Sequence, residues 1–251
     1  MEGEGGAALA QLPRLVHEDD ALIALFKPAG LPVLSTRGEA EGRCLAAWLI
    51  EQEPSRRGLN FPPGFGAGAL HRLDTSTSGL VLFGRSSASF ASLRALFSGH
   101  ALVKRYLLVA ARSSAWSARQ IDAPIAHHPQ KRDRMVVQRG PGTAARGRWL
   151  PATTTLCRLG PPPDPAGMSA PTLFSAEIRT GVMHQIRAHA AFAGVPLLGD
   201  RRYGGGLTPP DAPAGVEFFL HHAEVRGPGL AVPPLPPPPG WPPCAAVDAM
   251  A

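Results

Sequence analysis

The sequence predicts an α+β domain built on a mixed, mostly antiparallel sheet with flanking helices. Runs of strand character outnumber runs with helical spacing. The connections between them are often short, and neither an internal repeat nor a regular strand–helix alternation is present. The 251 residues suffice for one large domain or two small ones, and a hydrophobic content of 44% is that of a globular chain.

The elements follow in order. Residues 1–13 read as a flexible tail of small residues. The apolar run 21–26 is a strand, ended by the turn Lys27-Pro28-Ala29-Gly30. Residues 45–51 form a helix that stops before Pro54. A Gly/Pro-rich loop leads to His71-Arg72-Leu73-Asp74, and 79–84 is a short apolar strand. Residues 86–97 form a helix: Ser86 or Ser87 caps it, Phe90, Leu93 and Phe97 recur at helical spacing, and Gly99 ends it. Residues 101–110 are a strand that places Lys104 and Tyr106 on one face. Strands are also expected at 135–137, 153–159, 172–178 and 218–222, a Pro-rich loop at 161–171, and a helix at 184–192 with Gly194 as its stop. Residues 14–227 then form the folded domain, and 228–251 an extended, poorly packed Pro-rich tail.

The net charge is +6 and the pI near 9.9, which favours a polyanionic partner. The charge is uneven. Lys131, Arg132, Arg134, Arg139, Arg146 and Arg148 stand against Asp133 alone, so this stretch either tracks phosphates or is a solvated loop. Cys44, Cys157 and Cys244 are far apart, without metal-ligand spacing or a disulfide framework, which fits a reducing cytoplasm. No signal peptide and no run of the ~18 apolar residues of a membrane span is visible.

Two stretches concentrate chemistry. In His71–Gly79 an ionisable cluster sits where a loop meets an apolar strand, with small hydroxyl residues after Asp74 leaving room for a ligand. The same residues also make a good turn, with the carboxylate accepting backbone N–H groups. In 180–189, helical spacing puts His184, Arg187 and Ala191 on one face and Ile186, Ala190 and Ala193 on the apolar one. Arg187 therefore projects either toward another element or simply into solvent. His184 and His189 do not share a face, and no metal site is expected.

In order and company these motifs resemble the ribosomal and transfer RNA pseudouridine synthase family that carries the His-Arg-Leu-Asp signature. His71 to Gly79 match that signature, Lys104 and Tyr106 its lysine-x-tyrosine strand, and Thr180 to His189 its Thr-Gly-x-x-His-Gln-x-Arg-x-His helix. Gly199-Asp200 and Tyr203-Gly204 match a later loop, Lys27 to Val33 the opening turn, and Leu220 to Ala223 the closing strand. The resemblance implies a pseudouridine synthase fold with a central RNA-binding cleft. It also implies isomerisation of uridine in ribosomal or transfer RNA without cofactor or metal, since reactant and product are isomers.

The resemblance further places Asp74 as nucleophile or base, Arg187 as its ion partner and Tyr106 against the target base. It makes His71, Arg72, Leu73, Lys104, His184 and Gln185 substrate contacts, and Lys131 and Arg132 phosphate contacts. A monomer without an N-terminal accessory RNA-binding domain is expected. Val182-Met183 depart from an Arg-Thr pair common in relatives; the Thr could cap the helix, at ~1 kcal/mol. Two other readings stay open: a non-catalytic RNA-binding protein, which that departure and the absent domain favour, and a carboxylate- or metal-dependent hydrolase, resting on scattered His and Asp.

Overall fold

A computed structural model describes residues 11–35, 40–160 and 170–242 of the chain. Most of the expected N-terminal tail, most of the Pro-rich loop and Cys244 lie outside the described residues. The first strand, β1 (Arg14–Glu18), is a half-exposed edge too polar to stand out in the sequence. It pairs antiparallel with β2 (Leu22–Lys27), which is buried along its whole length. The same holds for β3 (Ser78–Gly84). These two runs lack alternation because both of their faces are covered. Ile23, Leu25, Val81 and Phe83 pack on α1 (Leu45–Gln52), while Leu22, Phe26, Leu80 and Leu82 pack on α2 (Ser87–Ser98). Ser86 caps α2 through a reciprocal capping box with Ser89, Gly99 ends it, and Phe90, Leu93 and Phe97 are its buried face, as their spacing predicts.

The chain continues through β4 (Val103–Ala110), β5 (Ala118–Asp122), β6 (Ile125–His127), β7 (Met135–Val137), β8 (Arg146–Leu150), β9 (Thr153–Arg158) and β10 (Thr172–Ile178). Then come α3 (Gln185–Phe192) and β11 (Leu220–Arg226). The main sheet has the order β1-β2-β3-β11-β4-β10-β9-β5, and β7-β6-β8 form a second, small sheet. Only the β3–β11 pair is parallel; every other pairing among the described strands is antiparallel. One face of β4 and β10 (Tyr106, Leu108, Phe174, Ala176) is covered by α3 and by Ile125, Met135 and Val137 of the small sheet. The basic stretch 131–148 is therefore not one loop: it is a turn, strand β7, a second turn and the exposed strand β8.

The segment after Pro228 is extended, but it is not poorly packed. Val232 and Leu235 are buried in the α2 core. The Leu235 N–H donates to the Ala223 carbonyl (2.8 Å), and the Leu235 carbonyl accepts from His221 Nε2 (3.0 Å). Proline cannot donate to a sheet, but a proline-fixed extended chain can still seat the apolar side chains between its prolines.

The parallel junction positions everything that follows, and one glycine permits it. Gly79 has φ +121°, and a β-carbon there would lie inside the backbone of His222 on β11. Gly79→Ala is expected to destabilise the fold by about 3 kcal/mol or more, from left-handed strain plus overpacking. Urea-induced unfolding checks this; a wild-type midpoint would show that β3 and β11 are not held this close.

Candidate active site

The loop before β3 is closed by its own backbone. The Thr77 N–H donates to the Asp74 carbonyl at 3.0 Å, so the turn does not need the Asp74 carboxylate. That carboxylate, half-buried, turns away and meets Arg187 of α3: Nη1 lies 3.0 Å from Oδ2. Beneath the loop, Lys27 is fully buried and donates to three carbonyls, those of Pro28 (2.9 Å), Leu31 (2.7 Å) and Thr75 (3.0 Å). Burial pulls Lys27 down to about 7, opposed by the Asp74 charge.

Arg187 is not a solvent-facing arginine. It is 2% exposed and makes a bidentate pair with the equally buried Asp200: Nε to Oδ2 at 2.7 Å and Nη2 to Oδ1 at 3.0 Å. Its guanidinium carbon lies 4.2 Å from the ring centre of Phe218 and 5.2 Å from that of Tyr203. Burial works against the Arg187 charge, but Asp200 and Asp74 outweigh it and raise the group above its ordinary range. One guanidinium fork thus holds two carboxylates, one sealed and one open to the cleft.

The helix carrying Arg187 starts one residue later than its spacing suggests. His184 is its N-cap residue, in the left-handed conformation (φ 56°), so position 183 lies outside the helix and a Thr there could not be its cap. Gln185 organises this end instead. Its Oε1 accepts from the Val182 N–H (3.1 Å) and Thr180 Oγ1 (2.8 Å), and its Nε2 donates to the Thr153 carbonyl (2.9 Å) and Thr154 Oγ1 (3.2 Å). Both ends of the Gln185 amide are thereby committed to protein, although the sequence reading expects it to contact substrate. Met183 is exposed and Val182 packs on the core.

Tyr106 stands on β4 with its ring stacked on His222 (4.5 Å between centres, 20° between planes). Burial raises its phenol above the ordinary range and the nearby Asp74 charge adds to that, so the hydroxyl is protonated at neutral pH. Lys104 donates to the Thr180 carbonyl (2.8 Å) and is lowered to about 8 by burial and by Arg94. His71 stacks on Phe97, and its Nε2 accepts from the Leu82 N–H (3.2 Å). Burial, then His222, Lys104 and Arg94, hold it well below its ordinary value, so it is neutral. Leu73 is a packing residue that touches two of the core clusters, the one under α3 and the one under α1.

Asp74, Tyr106 and Arg187 line one open cleft of about 1160 Å³, together with His71, Lys104 and His184. Arg72 is exposed on its wall and Arg132 on its rim; Lys131 is exposed but lies off the wall. Among the described residues no three His, Cys, Asp or Glu gather as metal ligands, and no helix is long and apolar enough to cross a membrane.

Residues 21–192, more than half of the chain, match the family described as RNA pseudouridylate synthase. The chain belongs to that family. A ribosomal large subunit pseudouridine synthase D of Xanthomonas campestris is 31% identical over 233 residues, 90% of this chain, and one of Nitrosomonas europaea 36% over 200 residues, 79% of this chain. The matched regions make up 61% and 51% of those two relatives, so the chain spans somewhat over half of their length. Among solved structures, human RNA pseudouridylate synthase domain containing 1 superposes with a TM-score of 0.63 at 22% identity, covering 91% of this chain and 82% of that one. The likeness places the mixed sheet and its flanking helices in the pseudouridine synthase fold.

Two further residues of this pseudouridylate synthase site fall within sequence motifs that give them no role. Asp200 is the second carboxylate on Arg187, and Tyr203 bonds both His184 and β7. An Asp after a Gly in a loop reads as turn chemistry, and nothing local in the sequence connects it to an arginine on a helix before it.

Proposed function

We propose that this protein is an RNA pseudouridine synthase acting on uridine in ribosomal or transfer RNA in the cytoplasm. The observation that carries the reading is the Asp74–Arg187 pair, 3.0 Å long, on the wall of a cleft that also holds Tyr106. The reaction breaks the bond between ribose and uracil N1, rotates the base and joins the ribose to C5; the C5 proton leaves and N1 takes one up. It is an isomerisation, and it asks for a charged carboxylate beside the sugar.

In this reading Arg187 keeps Asp74 ionised in a partly dry site, and Asp74 acts on the nucleotide as nucleophile or base. The Tyr106 ring packs against the base. Burial, with the Asp74 charge, keeps the Tyr106 phenol protonated, so it is not a base while Asp74 is ionised. The target nucleotide must leave its stack, at a few kcal/mol, and exposed Arg72 is placed on the wall to fill the gap. Arg94, Lys104, Arg132 and Arg202 line the same cleft and suit phosphate, which gives register and affinity more than sequence choice.

The test is incubation of the purified chain with unmodified ribosomal and transfer RNA, followed by mapping of pseudouridine at nucleotide resolution. Discrete new sites are expected in at least one RNA class. No product in either class overturns the reading.

A further inference from the structure

The two hydrogen bonds of the Tyr203 hydroxyl bear on the protonation of a neighbour. The Met135 N–H, at the start of β7, donates to the Tyr203 oxygen at 2.9 Å. The hydroxyl has one proton of its own, and the other partner in reach is His184 Nδ1 at 3.0 Å. If Tyr203 donates there, Nδ1 carries a lone pair and the proton of a neutral imidazole sits on Nε2. Nε2 faces Asp74 Oδ2 at 3.7 Å, the same oxygen that Arg187 Nη1 contacts. Among the described residues Asp74 Oδ1 has no such contact. Burial, with Arg187 and Arg202, holds His184 below its ordinary value against the opposing charges of Asp74 and Asp200, so a neutral ring is the relevant form.

The geometry points to His184 as a positioning residue: Tyr203 locks it as the Nε2–H tautomer, it joins Arg187 in anchoring Asp74 Oδ2, and Oδ1 is left as the oxygen that meets the substrate. The inference rests on the synthase reading for its consequence, but the tautomer itself does not depend on activity. At 3.7 Å the Nε2 contact is longer than a hydrogen bond, and active-site donors commonly close such gaps when substrate binds. The unusual backbone of His184 makes the test selective. Asn tolerates the left-handed conformation better than Gln, but its amide reaches only as far as Nδ1, whereas a Gln amide reaches as far as Nε2.

A donor role therefore predicts that His184→Gln keeps kcat within about three-fold, while His184→Asn loses about ten-fold or more in kcat with KM for RNA nearly unchanged. A backbone role predicts the reverse order. Tyr203→Phe removes only the hydroxyl. It is expected to lower kcat about ten-fold in the His184 enzyme but less than about two-fold in the His184→Gln background, because an amide has no tautomer to lock. Equal losses in both backgrounds, or His184→Asn outperforming His184→Gln, overturn the proposal. Nitrogen-15 NMR of the imidazole gives a readout independent of catalysis. Protonated Nε2 is expected at neutral pH in the wild type, with a mixture in Tyr203→Phe. A protonated Nδ1 in the wild type sinks the relay even if the enzyme is active, and an inactive wild type that shows protonated Nε2 counts against the synthase reading alone.

Discussion

Asp74→Asn is expected to abolish pseudouridine formation, with kcat falling at least about a thousand-fold, while the fold and RNA binding stay intact. Asn has the shape of Asp but is neither a useful nucleophile nor a base. Removing the charge does not strand Arg187, because Asp200 keeps its two bonds to Nε and Nη2. Asp74 is also the open partner, with a side chain 29% exposed against 1% for Asp200, so its ion pair contributes little to stability. Single-turnover assays on a responsive RNA, with binding by filter retention and melting by calorimetry, separate the effects. A large loss of rate with a melting temperature within about 3 °C of wild type is the expected pattern. If the variant retains more than about a tenth of the wild-type rate, Asp74 is not the reacting carboxylate and the cleft needs another one.

Much of this arrangement could be read from the chain because the relevant signals are local. The apolar runs that became β2 and β3, and the Ser86, Phe90, Leu93 and Gly99 pattern of α2, are patterns of adjacent residues with one physical explanation each. The edge and small-sheet strands β1, β5, β6 and β8 were not legible. Arg119, Gln120, Arg146 and Arg148 are exposed on β5 and β8, and a strand wet on most of its surface has no apolar alternation to display. The site divides the same way. Asp74, Tyr106 and Arg187 stand out through motifs, whereas Gln185 looks like a ligand contact until its four partners are seen to be protein. The Pro-rich end looks solvated because composition does not reveal that Val232 and Leu235, three residues apart, both reach the buried side.

Asp200→Ala is expected to cost about 3–5 kcal/mol, because it leaves a guanidinium 2% exposed without its bidentate partner. For a chain of this size that lowers the melting temperature by roughly 10 °C. Activity measured well below the transition should fall as well. With Asp200 gone, Asp74 becomes the only carboxylate on Arg187, and the guanidinium is free to swing toward it and occupy the oxygen the substrate needs. The double substitution Arg187→Met with Asp200→Leu discriminates between the two effects. The apolar pair removes both buried charges beside Phe218 and Tyr203, so stability should return to within about 2 kcal/mol of wild type while turnover remains lost. Restored stability without activity shows that the buried half of the fork serves the fold and the open half serves the reaction. If Asp200→Ala melts like the wild type, water reaches Arg187 and the carboxylate in the cleft is not being held by a buried charge.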